Sequence, residues 1–138
     1  MSEESTTPDL VELTHKLSEA DLDATMDFYR PDSVYEVVGI GVFVGPAAIR
    51  EFLDEWEATY EAYDEEIGEV LNLGNGVVLA LLRLGGRPSG SAGHVRAQRS
   101  QGFVCVWEEG KVIRAIVYFD PDEARAAAER LAQERADG

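Results

Sequence analysis

Cysteine is nearly absent from this chain: Cys105 is the only one in 138 residues. An intrachain disulfide and a thiolate metal cluster are therefore excluded. Cys105 lies among the strand-forming residues Phe103 to Trp107 and reads as a small buried apolar side chain rather than a nucleophile. Long hydrophobic runs are missing too. No stretch approaches the ~18 apolar residues of a membrane helix, and Met1-Ser-Glu-Glu-Ser-Thr-Thr-Pro lacks the basic and apolar regions of a signal peptide. A cytoplasmic protein is the resulting expectation. Histidine is limited to His15 and His94, neither accompanied by a cluster at metal-ligand spacing, so no metal site is expected. Phosphate-binding glycine loops and dinucleotide fingerprints are absent, and no cofactor is expected. The glycines of Gly39-Ile-Gly-Val-Phe-Val-Gly45 have no phosphate-binding helix in the right context and read as a hairpin.

What the chain has in excess is acid. Its net charge is -15, which argues against nucleic acid and anionic membrane surfaces as partners. The excess is segregated. Residues 1 to 71 carry nineteen acids against Lys16, Arg30 and Arg50, whereas Asn72 to Phe119 carries only Glu108 and Glu109 against Arg83, Arg87, Arg96, Arg99, Lys111 and Arg114. An acidic, largely helical half thus faces a cationic sheet half. The arginines either pair with helix carboxylates or with a partner subunit, or they mark a site for an anionic ligand.

The length and a 45% hydrophobic composition allow one domain with one core. Residues 1–8 read as a disordered tail and 9–135 as the domain. Leu10, Leu13 and Leu17 recur at helical spacing, predicting a helix over residues 9 to 18. Leu22, Met26 and Tyr29 predict a second helix of about ten residues, ended by Pro31, because a proline disfavours helix in the residue before it. Ser33 to Val38 alternates like a strand. Pro46 then opens a long third helix whose stripe is Ile49, Phe52, Leu53, Trp56, Tyr60 and Tyr63. Four strand candidates follow, Glu65 to Leu73, Val77 to Arg87, Val95 to Trp107 and Val112 to Phe119, and then a helix capped by Asp120 or Asp122 and running to about Arg135.

Three pieces carry a family resemblance: the acidic helix running into Pro31-Asp32 and an alternating strand, the helix opened by Gly45-Pro46, and the Glu109-Gly-Lys-Val-Ile-Arg114 hairpin with its Tyr118-Phe-Asp-Pro-Asp-Glu-Ala124 ending. In this order and spacing the chain resembles the SnoaL-like polyketide cyclase and ketosteroid isomerase group of the nuclear transport factor 2-like superfamily. The resemblance implies an α+β fold: a cone-shaped, curved antiparallel sheet packed against three N-terminal helices, plus a C-terminal helix. It also implies a pocket between sheet and helices, with the other sheet face available for pairing two copies.

Ketosteroid isomerase chemistry needs a carboxylate base, and a tyrosine with a protonated aspartic acid to hold the enolate oxygen. The matching positions here hold Val37, Leu13, and Phe103 or Gly102. None can do acid or base work. Phe103 also falls where the polyketide cyclases carry an aspartate. The Asp-Arg-Asp relay of limonene epoxide hydrolases has no counterpart, because Gly76 to Trp107 contains no carboxylate.

The period of two divides Val95 to Trp107 into faces. The odd face is apolar except for Arg99 and Gln101, which need partners if buried. That face is the expected pocket wall unless a bulge swaps the faces. The candidate ligand-binding residues are Arg99, Gln101 and Phe103, with Tyr29, Trp56 and Tyr60 opposite, although the same aromatics can simply fill a core. His94 and Asp120 are the candidate catalytic groups, Asp120 also reading as a helix cap. Three functions remain open at this point. One is a binder of a small, mostly apolar molecule, with or without a carboxylate. Another is an isomerase, cyclase or epoxide hydrolase with an unconventional base. The third is a non-catalytic homodimer paired through a sheet face made by Val104, Val106, Ile116 and Tyr118.

Overall fold

A computed structural model describes residues 9–58, 60–88 and 97–137, with backbone alone for 60–65, 84–88 and 97–99. The expected tail over residues 1–8 and the candidate His94 lie outside the described residues. Three helices come first: α1 (Leu10–Glu19), α2 (Leu22–Met26) and α3 (Pro46–Ala58), the last preceded by the strands β1 (Tyr29–Val37) and β2 (Gly41–Val44). The strands β3 (Tyr60–Gly74), β4 (Val77–Pro88), β5 (Ala97–Glu108) and β6 (Lys111–Tyr118) follow, and α4 (Pro121–Asp137) closes the chain. They build the expected α+β architecture, a curved six-stranded open sheet in the order β2-β1-β6-β5-β4-β3. Neighbours are antiparallel except β1 and β6, which run parallel.

The second and third helices are shorter than the sequence predicts. Asp21 caps α2 by accepting from the Ala24 backbone N–H, and the helix ends five residues on at Met26. Tyr29 is a strand residue, paired with Val112. Its spacing from Leu22 and Met26 mimics a helical stripe, but a neighbouring strand gives its backbone a ladder partner and the sheet wins. The same competition moves Tyr60 and Tyr63 from the third helix to β3, where Tyr60 pairs with Pro88. Pro31 stays within β1 because the register is interrupted between Tyr29 and Val34. The Ser33 hydroxyl repairs this irregularity, accepting from the Arg30 N–H at 2.8 Å and donating to the Val112 carbonyl at 2.6 Å.

Two cores lie on opposite faces of the sheet. On one, Leu17 and Ile49 of the helices meet Tyr29, Tyr35, Val37, Val78, Cys105 and Trp107. On the other, Ala124, Ala128 and Ala132 of α4 cover Val77, Leu79, Val104, Val106 and Ile116. The open apolar face expected of Val104, Val106 and Ile116 is therefore closed by the chain's own last helix, and Tyr118 at its margin is half-buried. Small residues let α4 come close: an added Cβ on Gly102 would stand 2.1 Å from the Ala124 Cβ. Among the described residues the exposed large apolar side chains lie elsewhere, at Ile40, Val42 and Val44 around the short edge strand β2. No helix among the described residues is long and apolar enough to cross a membrane.

Candidate functional site

Between the first three helices and the sheet lies a cavity of about 150 Å³. Alternation builds its sheet wall. Ala80 and Leu82 of β4 stand opposite Phe103 and Gln101 of β5, with Tyr35 and Val37 of β1 and Val117 of β6 continuing the same face. The helices supply Thr14, Leu17 and Ser18 from α1, Leu22 and Thr25 from α2, and Phe52, Leu53, Trp56 and Glu57 from α3. Phe119, just after β6, completes the wall beside Trp56, with ring centroids 6.3 Å apart.

The wall is mainly aromatic. Tyr29 meets Tyr35 edge-on at 6.4 Å, Tyr35 reaches Phe103 at 6.2 Å and Phe52 at 6.1 Å, and Phe52 reaches Trp56 at 6.0 Å. The hydroxyls of α1 are turned back on their own helix. Thr14 Oγ1 donates to the Leu10 carbonyl at 2.7 Å and accepts from Trp107 Nε1 at 3.2 Å, while Ser18 donates to His15 at 3.0 Å. Burial pushes the Tyr29 phenol well above its usual value, with Tyr35 and Cys105 adding to the shift, so it stays protonated and able to donate.

Gln101 is the polar exception in this wall. It is 4% exposed, and its Nε2 is the one fully buried side-chain nitrogen or oxygen among the described residues without a hydrogen-bond partner. A buried donor left unpaired costs about 1–3 kcal/mol, and native folds rarely carry one without a reason. A hydrogen-bond acceptor arriving in the cavity meets this need, since the terminal torsion of glutamine is soft.

Of the residues singled out from the sequence, the structure brings Tyr29, Trp56, Gln101 and Phe103 together around this cavity. The side chains of Tyr60 and Arg99 are not among those described; Arg99 sits two residues from Gln101 on β5, paired with Leu84. Asp120 is exposed and is not a lining residue. It accepts from the Asp122 N–H at 2.8 Å and its carbonyl accepts from the Ala124 N–H at 3.1 Å, which makes it the cap of α4. Sequence reasoning missed Glu57, the only charged side chain among the described lining residues. Its place follows from its position beside Trp56 in the last turn of α3, once the helix is known to end at Ala58. Among the described residues no three His, Cys, Asp or Glu side chains gather as a metal site would require.

Residues 11–115 match the family model of the SnoaL-like domain. No curated protein matches the chain. Among solved structures the chain is similar to a protein of ketosteroid isomerase-like fold from Catenulispora acidiphila in complex with trimethylamine, at 16% identity over 83% of this chain and 88% of that one, with a TM-score of 0.68. A candidate SnoaL-like polyketide cyclase from a Jannaschia species shares 15% identity over 86% of this chain and 90% of that one, at 0.68. The epoxide hydrolase/cyclase-like enzyme SalBIII, of pyran ring formation in the polyether salinomycin, shares 22% over 80% and 87%, at 0.65. At these identities the likeness establishes the fold and leaves activity open. The family match, which covers most of the chain, establishes more: this protein belongs to the SnoaL-like domain family.

Proposed function

We propose that the protein binds a small, mostly apolar molecule between its helices and sheet, with Gln101 as the polar anchor. The observation that carries this reading is the unpartnered Gln101 Nε2 in a sheet wall otherwise made of aromatic and aliphatic side chains. Ligand sites commonly pair an apolar lining with a few placed polar groups. The ligand's body packs against Trp56, Phe52, Tyr35 and Phe103, and its acceptor, a carbonyl or ether oxygen, takes the Gln101 hydrogen bond. Tyr29, held in its neutral form, is a second donor for the same kind of oxygen.

The enzyme alternative, an isomerase, cyclase or epoxide hydrolase, needs a base within hydrogen-bond reach of the bound molecule. Asp120 is spent on capping α4, and Glu57 is the only carboxylate in the described lining. That alternative therefore rests on Glu57 alone among the described lining residues, whereas the unpartnered Gln101 amide favours binding.

The test is a thermal-shift screen against steroids, polyketide-like aromatics, terpenoid epoxides and small carboxylic acids, repeated with Gln101→Met. A ligand selective for the folded state raises the melting point by linkage. The expected result is a hit among oxygenated apolar compounds that weakens at least ~10-fold in the variant, the loss of one buried hydrogen bond to a neutral partner. A hit that ignores the substitution removes Gln101 from the site.

A further inference from the structure

We infer that this cavity takes amphiphilic ligands with an apolar body and a cationic head, and discriminates against carboxylates. The inference rests on the binding reading above and names the ligand class. Its first support is Glu57, a lining residue that is exposed and without an ion-pair partner among the described residues. The second is the direction of two helices. Leu17, Ser18 and Ala20 bring the C-terminal end of α1 to the cavity, and Trp56 and Glu57 bring that of α3. Helix C-termini carry partial negative charge from the aligned peptide dipoles, which favours cations.

Lys16 in the last turn of α1 is exposed and is not among the lining residues, and the other described positive charges nearby are already used. The positive end of α2 is occupied by the Asp21 carboxylate, and Arg50 of α3 is paired with Asp23. The third support is the wall itself, since aromatic faces such as that of Trp56 attract an ammonium group, the more so when it is partly desolvated. A net charge of -15 adds a long-range bias of the same sign. An ammonium beside Trp56 and Glu57, with an acceptor oxygen on Gln101, satisfies the charged side chain and the unpartnered amide of the described lining. A carboxylate placed beside Glu57 meets like charge, the only charge among the described lining residues.

The experiment uses three matched probes: 4-acetylbenzylamine, 4-ethylacetophenone and 4-acetylphenylacetate. They share an aryl ketone and differ in the charge of the opposite end. Each is titrated against the full chain by tryptophan fluorescence, Trp56 being part of the wall, and by thermal shift. The amine is expected to bind about tenfold tighter than the neutral ketone, as one unit charge near a partly solvated carboxylate allows, and the acid more weakly than either. In Glu57→Gln the ratio of amine to neutral ketone should fall to within about threefold, and about 0.5 M salt should compress it in the native protein. An acid that binds as tightly as the amine, the result a cavity-facing Arg99 would give, overturns the inference. So does an amine preference that survives Glu57→Gln. If only the neutral ketone binds, the cavity reading stands and the charge selection is wrong; if no probe binds, both fall.

Discussion

Gln101 is a residue whose presence is unfavourable in the empty protein. Its Nε2 is buried and unpaired, so Gln101→Met, of similar volume, should stabilise the unliganded fold by about 1–2 kcal/mol. Urea unfolding checks this, and an unchanged or lower midpoint would mean that the amide is satisfied in solution. Cys105 and Tyr29 make a second expectation. Burial raises both above their ordinary values of 9.0 and 10.0, which keeps the neutral forms in the folded state. Above those values the unfolded chain binds fewer protons than the folded one, so stability falls as pH rises. Their contribution should be intact below about pH 9 and lost progressively above it. Chemical denaturation from pH 7 to 11 tests the sign, and Cys105→Ala should remove the earlier part of the decline. The native thiol should also resist alkylation at pH 8 and react once unfolded.

At the scale of elements, α1 is tied to the sheet through one buried bond, from Trp107 Nε1 to Thr14 Oγ1 at 3.2 Å. Thr14→Val keeps the shape and strands the indole N–H, at an expected cost of about 1–3 kcal/mol. A melting curve and the Trp107 emission report the loss together. On the opposite face α4 sits so close that Gly102→Ala drives a Cβ into Ala124. Overpacking of this kind should cost about 2–3 kcal/mol, and pairing it with Ala124→Gly should recover part of that. The acids clustered between Glu61 and Glu69 all belong to β3, an edge strand, including Glu61, which the sequence predicts on the third helix. Charge on an edge discourages pairing with another chain's strand. Among them Glu66 pairs with Arg83 of β4 at 3.5 Å, one of the predicted carboxylate partners of the sheet arginines, supplied by a strand instead of a helix.

At the scale of the whole molecule, a charge of -15 works against the compact state. The described ion pairs are all exposed or half-exposed, so they offset little of it. Raising salt from about 20 to about 300 mM should therefore raise the melting point by a few degrees through screening. A fall would mean that the surface pairs outweigh the repulsion. The same change of salt should weaken binding of a cationic ligand, so stability and affinity are expected to move in opposite directions.

Much of the fold was legible because local signals agreed with it. Asp120 caps α4 as the sequence predicts, Gly45-Pro46 opens α3, and the odd positions 101 and 103 of β5 do face the cavity. These are one-dimensional properties of cap, turn and period. What the sequence left undecided was every choice in which two periods fitted the same residues. Tyr29, Tyr60 and Tyr63 satisfy a helical stripe and a strand equally well, and only a partner strand at the right distance settles the matter. Whether Val104, Val106 and Ile116 are surface or core depended on where α4 returned. The burial of the unpaired Gln101 amide and the place of Glu57 beside the cavity are likewise products of distant elements meeting, which no local pattern encodes.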